Sequence, residues 1–361
     1  MTEARQRSWL AIAGLLAVLG APGCGCSDEP VSSTPGAGTG GTSGAGSGGS
    51  SGVGATGGTG GTAPEGGGAI DIQKATEAPN PFDATPDPEG KTVYFTAADP
   101  ALGPGVFKIP VGGGAVSTIH AGAPFASPFG IATSTNGSSL YVADPASEWS
   151  DTSGTHDGGQ IFAVSPNGGT PTTVAGTTGL SPRGLEVHEE NGADVIYYSG
   201  RDATGVPGVF KIATGGGSPT TVASGAPFVD PSGVAVSAAG DVYVADTANA
   251  EDNTASVIVV KAGVASVLVS DIRVGFPAGV ALAAGDGTLF VSGLDPNTLT
   301  DLVLAINTST KEVSTYTGTQ TVNIGNFVEP AGLHRAKKAN VFAWADSKAN
   351  SGGTVYVLTI Q

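Results

Sequence analysis

An all-β chain assembled from six copies of one four-stranded unit is the fold class this sequence predicts, and three observations predict it. A Pro-x-Gly element followed by apolar residues recurs at Pro128, Pro182, Pro231, Pro277 and Pro330, with a degenerate copy at Pro81-Phe82-Asp83. Successive prolines stand 47, 54, 49, 46 and 53 residues apart, a period that suits one propeller blade with loops of variable length. Between them lie short Val, Ile, Leu, Phe and Tyr runs bounded by Gly, Asn, Pro and Asp, the strand-and-turn pattern. Closed radially, these units make a six-bladed β-propeller over residues 69–361.

Two segments precede the repeats. Residues 1–23 read as a signal peptide: Arg5 and Arg7 supply a basic start, and Trp9 to Gly20 form an apolar run of the length found in such leaders, short of a bilayer span. The run leads into Ala21-Pro22-Gly23-Cys24, which resembles the lipobox of bacterial lipoproteins, with Ala21 and Pro22 as departures. That resemblance implies lipidation of Cys24 and a chain anchored in the cell envelope; Cys26 is the poorer acceptor. These are the two cysteines of the chain, so no disulfide staples the repeats. Residues 24–68 are chiefly Gly, Ser, Thr and Ala. With little apolar surface to bury, they are expected to form a flexible tether of about 35–40 Å r.m.s. span.

Each repeat is read as strands a to d. In the copy beginning at Pro128, strand a covers about 130–134, an Asn136-Gly137 turn leads to strand b at 140–143, strand c is 161–164, and Pro166-Asn167-Gly168-Gly169 turns into strand d around 172–174. The final repeat stops after strand c at 355–358, leaving a bare edge. The missing strand is upstream, at 69–73: Ile72 stands nine residues before Pro81, as Ile119 stands before Pro128 and Val222 before Pro231. The expectation is a ring sealed by 69–73 pairing beside 355–358.

The Pro-x-Gly starts, followed by Tyr141-Val142-Ala143-Asp144 and Tyr243-Val244-Ala245-Asp246, resemble NHL-type and SMP-30/gluconolactonase-like six-bladed propellers. GVFKIPVGGG (105–114) and GVFKIATGGG (208–217) resemble YWTD-like repeats. The resemblance implies the fold. For function it implies either a binding module or a metal-dependent lactone or ester hydrolase. That hydrolase family places an Asn after one strand-a proline as a metal ligand. Here those positions are Phe82, Phe129, Arg183, Ser232, Ala278 and Ala331, so the ligand has no match.

In such a ring the b–c and d–a connections share one face. The b–c loops at about 144–159, 246–255 and 292–301 are long, whereas the a–b and c–d connections are tight, so the b–c/d–a face is the expected binding surface. Two of these loops are rich in oxygen ligands: Glu148, Asp151, His156 and Asp157 in one, Asp246, Asn249, Glu251, Asp252 and Asn253 in the other. Calcium bound by Asp246, Asn249, Glu251 and Asp252 is one reading; ordinary polar loops is the other. The aspartates that end every strand b (Asp99, Asp144, Asp202, Asp246, Asp295, Asp346) are expected to cap loops.

Strand a holds a second irregularity. Ala132, Ala235 and Ala281 of three repeats are replaced by Glu186 and His334 in two others, with Arg183, His188 and Arg335 close by. These five form a candidate ligand site at the ring's axis, or else satisfied ion pairs. No catalytic residues are assigned: no G-x-S-x-G elbow appears, and no strand, glycine-rich loop and helix unit for a nucleotide. The formal net charge of −16 argues against nucleic acid and against membrane contact other than through the anchor. The expected partner is an envelope protein, a glycan or a small ligand, met by a monomer.

Overall fold

The computed structural model describes residues 70–249, 254–274, 278–294, 301–316, 330–349 and 352–360. They form six four-stranded antiparallel sheets and one small hairpin, with no α-helix among them. Blade 1 is β2 (Pro81–Pro86), β3 (Thr92–Asp99), β4 (Gly103–Pro110) and β5 (Ser117–Ala121). Blade 2 is β6 (Ile131–Thr133), β7 (Leu140–Asp144), β10 (Gln160–Val164) and β11 (Thr172–Thr173), with the hairpin β8 (Trp149–Asp151) and β9 (Gly154–His156) inside its b–c connection. Blade 3 is β12 (Leu185–Glu190), β13 (Ala193–Arg201), β14 (Pro207–Ala213) and β15 (Thr220–Ser224). Blade 4 is β16 (Pro231–Val236), β17 (Val242–Asn249), β18 (Thr254–Lys261) and β19 (Val264–Arg273). Blade 5 is β20 (Val280–Leu282), β21 (Thr288–Leu294), β22 (Asp301–Asn307) and β23 (Val313–Tyr316).

Blade 6 is β24 (Pro330–Arg335), β25 (Val341–Asp346), β26 (Thr354–Ile360) and, as its outer strand, β1 (Ile70–Glu77). Ile72 lies opposite Leu358 and Gln73 opposite Val357, the expected closure, though the strand runs four residues further than 73. The anticipated strands are otherwise present, several of them longer than expected: β17 runs to Asn249 and β18 starts at Thr254, which takes up most of the loop expected at 246–255, and β19 runs to Arg273. The β8–β9 hairpin was not foreseen.

Strands such as Leu140-Tyr141-Val142-Ala143 are apolar on both faces because both are covered. Leu140 and Val142 pack with Tyr94, Val106 and Ile119 of blade 1, while Tyr141 and Ala143 pack with Leu185, Ile196 and Tyr198 of blade 3. The same arrangement gives six apolar clusters, one in each interface between neighbouring blades. The cluster joining Phe95 and Phe107 of blade 1 to Ala343 and Val355 of blade 6 closes the circle.

Candidate functional site

The repeat glycine sets the geometry of the axis. A Cβ at Gly130 would overlap the Arg183 carbonyl oxygen, and one at Gly184 would overlap that of Ser232. At Gly233 it would stand 2.6 Å from the Ala278 oxygen, and at Gly279 it would run into the Gly332–Leu333 backbone. Each glycine abuts the next blade's Pro-x-Gly, so the inner strands meet backbone to backbone.

Blade 1 breaks the pattern. Asp83 occupies the glycine position, and its carboxylate fills the space beside Gly332. One carboxylate oxygen accepts from the Ala84 amide at 2.7 Å; the other accepts from the Ile131 amide of blade 2 at 2.9 Å. That second oxygen also lies 3.1 Å from His334 Nε2. Across the ring, His334 Nδ1 lies 3.5 Å from Glu186 Oε2, and the other Glu186 oxygen is paired with Lys337 Nζ, which also donates to the Val187 carbonyl at 2.7 Å. Asp83 and His334 are both buried. Burial works against charge on His334, but Asp83 and Glu186 outweigh it and lift its pKa to about 9. Burial likewise opposes ionisation of Glu186, yet Lys337 and His334 hold its carboxyl down at about 2.

Of the residues singled out from sequence, Glu186 and His334 therefore meet. Arg183 lines the same axial cavity, but Nη1 donates to Asp230 Oδ1 at 2.6 Å, with Arg201 Nη2 at 3.7 Å from the same oxygen. Burial pushes the Asp230 carboxyl up despite this pairing. His188 and Arg335 do not join. His188 rests edge-on against Tyr197, centroids 6.2 Å apart, and Arg335 donates from Nε to the Leu282 carbonyl at 2.8 Å and from Nη1 to that of Ala336 at 2.9 Å. Asp83 and Lys337 were missed. The signal for Asp83 was present, as a carboxylate where five other copies have glycine.

The strand-b aspartates are loop caps. Asp144 accepts from the amides of Ala126, Ser127 and Ala146 at 2.7–3.1 Å. Asp246 accepts from Val229 and Asp230, both at 2.9 Å. Asp99, Asp202 and Asp346 hold the amides of Leu102, Val206 and Ala349; Asp295 lies outside the described residues. Of the calcium reading, Asp246 thus faces loop amides, while Glu251 and Asp252, together with the Asn249 side chain, lie outside what is described. Among the described residues no three His, Cys, Asp or Glu side chains are grouped to hold a metal.

In the 144–159 loop, Asp151 Oδ1 serves its own hairpin, accepting from Ser153 Oγ at 2.6 Å and meeting His156 Nε2 at 2.9 Å. Ser153 Oγ contacts that same imidazole nitrogen at 2.9 Å. A hydrolytic triad needs serine and aspartate on opposite ring nitrogens, so these three do not make one. Trp149 stacks on His156 at 4.4 Å.

The axial cavity, bordered by Asp83, Arg183, Ser232, Gly332 and His334, has a volume of about 10 Å³, room for about one water. A divalent ion of the gluconolactonase kind does not fit these residues. Asp83 and Glu186 already face cationic partners, and no Asn follows a strand-a proline.

The fold defines the class, a six-bladed β-propeller, and the NHL repeat family model matches residues 228–251. No curated relative matches the chain. Among solved structures, the aldose sugar dehydrogenase of Streptomyces coelicolor in its PQQ-bound form is similar at 13% identity and TM-score 0.57, covering 83% of this chain and 100% of that one. A gluconolactonase from Xanthomonas campestris is similar at 15% identity and TM-score 0.53, covering 80% and 89%. A chain of the nidogen/laminin complex is similar at 19% identity and TM-score 0.51, covering 66% and 80%. At these identities the likeness is one of fold.

Proposed function

We propose that this chain is a lipid-anchored envelope protein whose propeller is a binding module, engaging a protein or glycan through the face made by its b–c and d–a loops. The filled axis carries this reading: with room for about one water and its charges mutually paired, it offers no pocket for a small substrate among the described residues. The loop face offers contact area instead. It bears the β8–β9 hairpin with the Trp149–His156 stack, and the exposed Leu102 and Val229 stand in its b–c and d–a connections. Among the described residues the other exposed large apolar side chains, Val116, Val264, Val267 and Val313, lie on or beside the outer strands β5, β19 and β23. The likeness to the nidogen/laminin chain and to the gluconolactonase is in both cases one of architecture, so the reading rests on the axis and the loop face. Photo-crosslinking groups placed at Leu102, Ser153 and Val229, and separately at Gly215 and Val264, test the proposal in intact cells. A discrete adduct from the first set alone is expected. Adducts from the second set alone, or none from the first, would count against the loop face.

A further inference from the structure

We propose that Asp83, Glu186, His334 and Lys337 form an axial latch that closes the ring between its last blade and the rest, acting inside the circle as β1 does at its rim. The repeat itself points to this. The five other copies carry glycine at the position of Asp83, and at the position of Glu186 and His334 the other four carry Ala132, Ala235, Ala281 and the uncharged Thr85. Three departures from one repeat, in blades 1, 3 and 6, converge in space, and each charge that they bring finds an opposite one. A lone charge introduced at so buried a place would be strongly destabilising. Lys337, in the turn after β24, completes the set, so both cations belong to blade 6 and both anions to other blades.

The connectivity is that of a closure. His334 and Asp83 are separated by 251 residues in sequence and lie on the two blades where the ring must be sealed. Asp83 also receives the Ile131 amide of blade 2, and Glu186 reaches across from blade 3. The latch therefore ties blade 6 directly to blades 1 and 3 at the axis and, through Asp83, to blade 2, whereas β1 ties it only at its outer edge.

Geometry fixes the protonation state in which the latch holds. Both imidazole nitrogens face carboxylates, Nε2 toward Asp83 from β2 and Nδ1 toward Glu186 from β12. A neutral ring has one N–H and one lone pair, so it can satisfy one carboxylate only and repels the other. Of the remaining charges here, Lys337 faces Glu186, Arg335 adds to the positive field on that carboxylate, and Arg183 borders the cavity with Asp230 as its partner. The imidazolium is held up to about 9, above the ordinary histidine value of 6.5. Its contribution is thus complete below about pH 6.5 and is lost as the pH rises through 9.

The test compares the full chain with His334→Gln, by native-state hydrogen exchange at pH 6.5 and by thermal melts at pH 6.5 and 10. Opening of β1, β25 and β26 is expected to become at least tenfold more frequent in the variant, with β17 and β18 of blade 4 changed far less. The difference in melting temperature should shrink by pH 10, where the parent's own imidazole is neutral. Asp83→Asn, which keeps the shape and removes one anion, provides the same readout if His334→Gln does not fold. Equal loss of protection in every blade, or a difference in melting temperature that is the same at both pH values, overturns the latch.

Discussion

Replacing Gly184 by alanine probes the construction of the hub directly. The new Cβ would overlap the Ser232 carbonyl oxygen, 2.8 Å from the carbon of that carbonyl and 2.9 Å from Gly233 Cα. Ordinary contact begins near 3.4 Å, and all three atoms are backbone, so no rotamer change relieves the overlap. Blades 3 and 4 must part where Ser199 Oγ also donates to the Ser232 carbonyl. Overpacking of a rigid site costs about 1–3 kcal/mol, and the upper end applies here. At roughly 2–3 °C per kcal/mol for a domain of this size, melting should fall by about 6–9 °C. Gly215→Ala is the control, because nothing lies within 4 Å of its added Cβ; it should be neutral or slightly stabilising. The assay is thermal unfolding followed by circular dichroism. A Gly184→Ala variant as stable as its parent, or as stable as the control, would refute the claim that the glycine ring is a packing requirement.

Asp144→Ala should lower stability by about 1–3 kcal/mol, since the Ala126, Ser127 and Ala146 amides lose their acceptor; exchange at these amides measured against Asp202→Ala, whose cap is more exposed, checks it. Glu186 bears on acid stability: its carboxyl is depressed to about 2 from 4.5, so its contribution is full above about pH 4.5 and disappears as the pH falls toward 2. Glu186→Gln should flatten that part of the stability-versus-pH curve, and an unchanged acid limb would contradict the assignment. Cys24→Ser should abolish incorporation of a labelled fatty acid and release the chain from the membrane fraction; labelling that persists in Cys24→Ser and vanishes in Cys26→Ser would move the anchor to Cys26.

The repeat alone determined the six blades, the order of strands within them and the strand borrowed from upstream of the first proline. All are written in local spacing: a nine-residue interval from Ile72 to Pro81, turn residues at fixed offsets, strands apolar on both faces. The capping role of the strand-b aspartates was legible for the same reason, because a cap and the amides it holds lie within about 20 residues. The axial cluster was legible only in part. Glu186 and His334 showed as departures from alanine, but their meeting spans 148 residues and that of His334 with Asp83 spans 251, distances over which no local pattern speaks. Grouping His188 and Arg335 with them treated neighbours in sequence as neighbours in space. Successive strand residues point to opposite faces and each step advances the chain by about 3.3 Å, so Arg335 turns toward Leu282 and His188 ends against Tyr197. Only the closing of the ring decided that an aspartate in a glycine's place would sit beside a histidine in an alanine's, because the axis is the one place where the inner strands of all the blades converge.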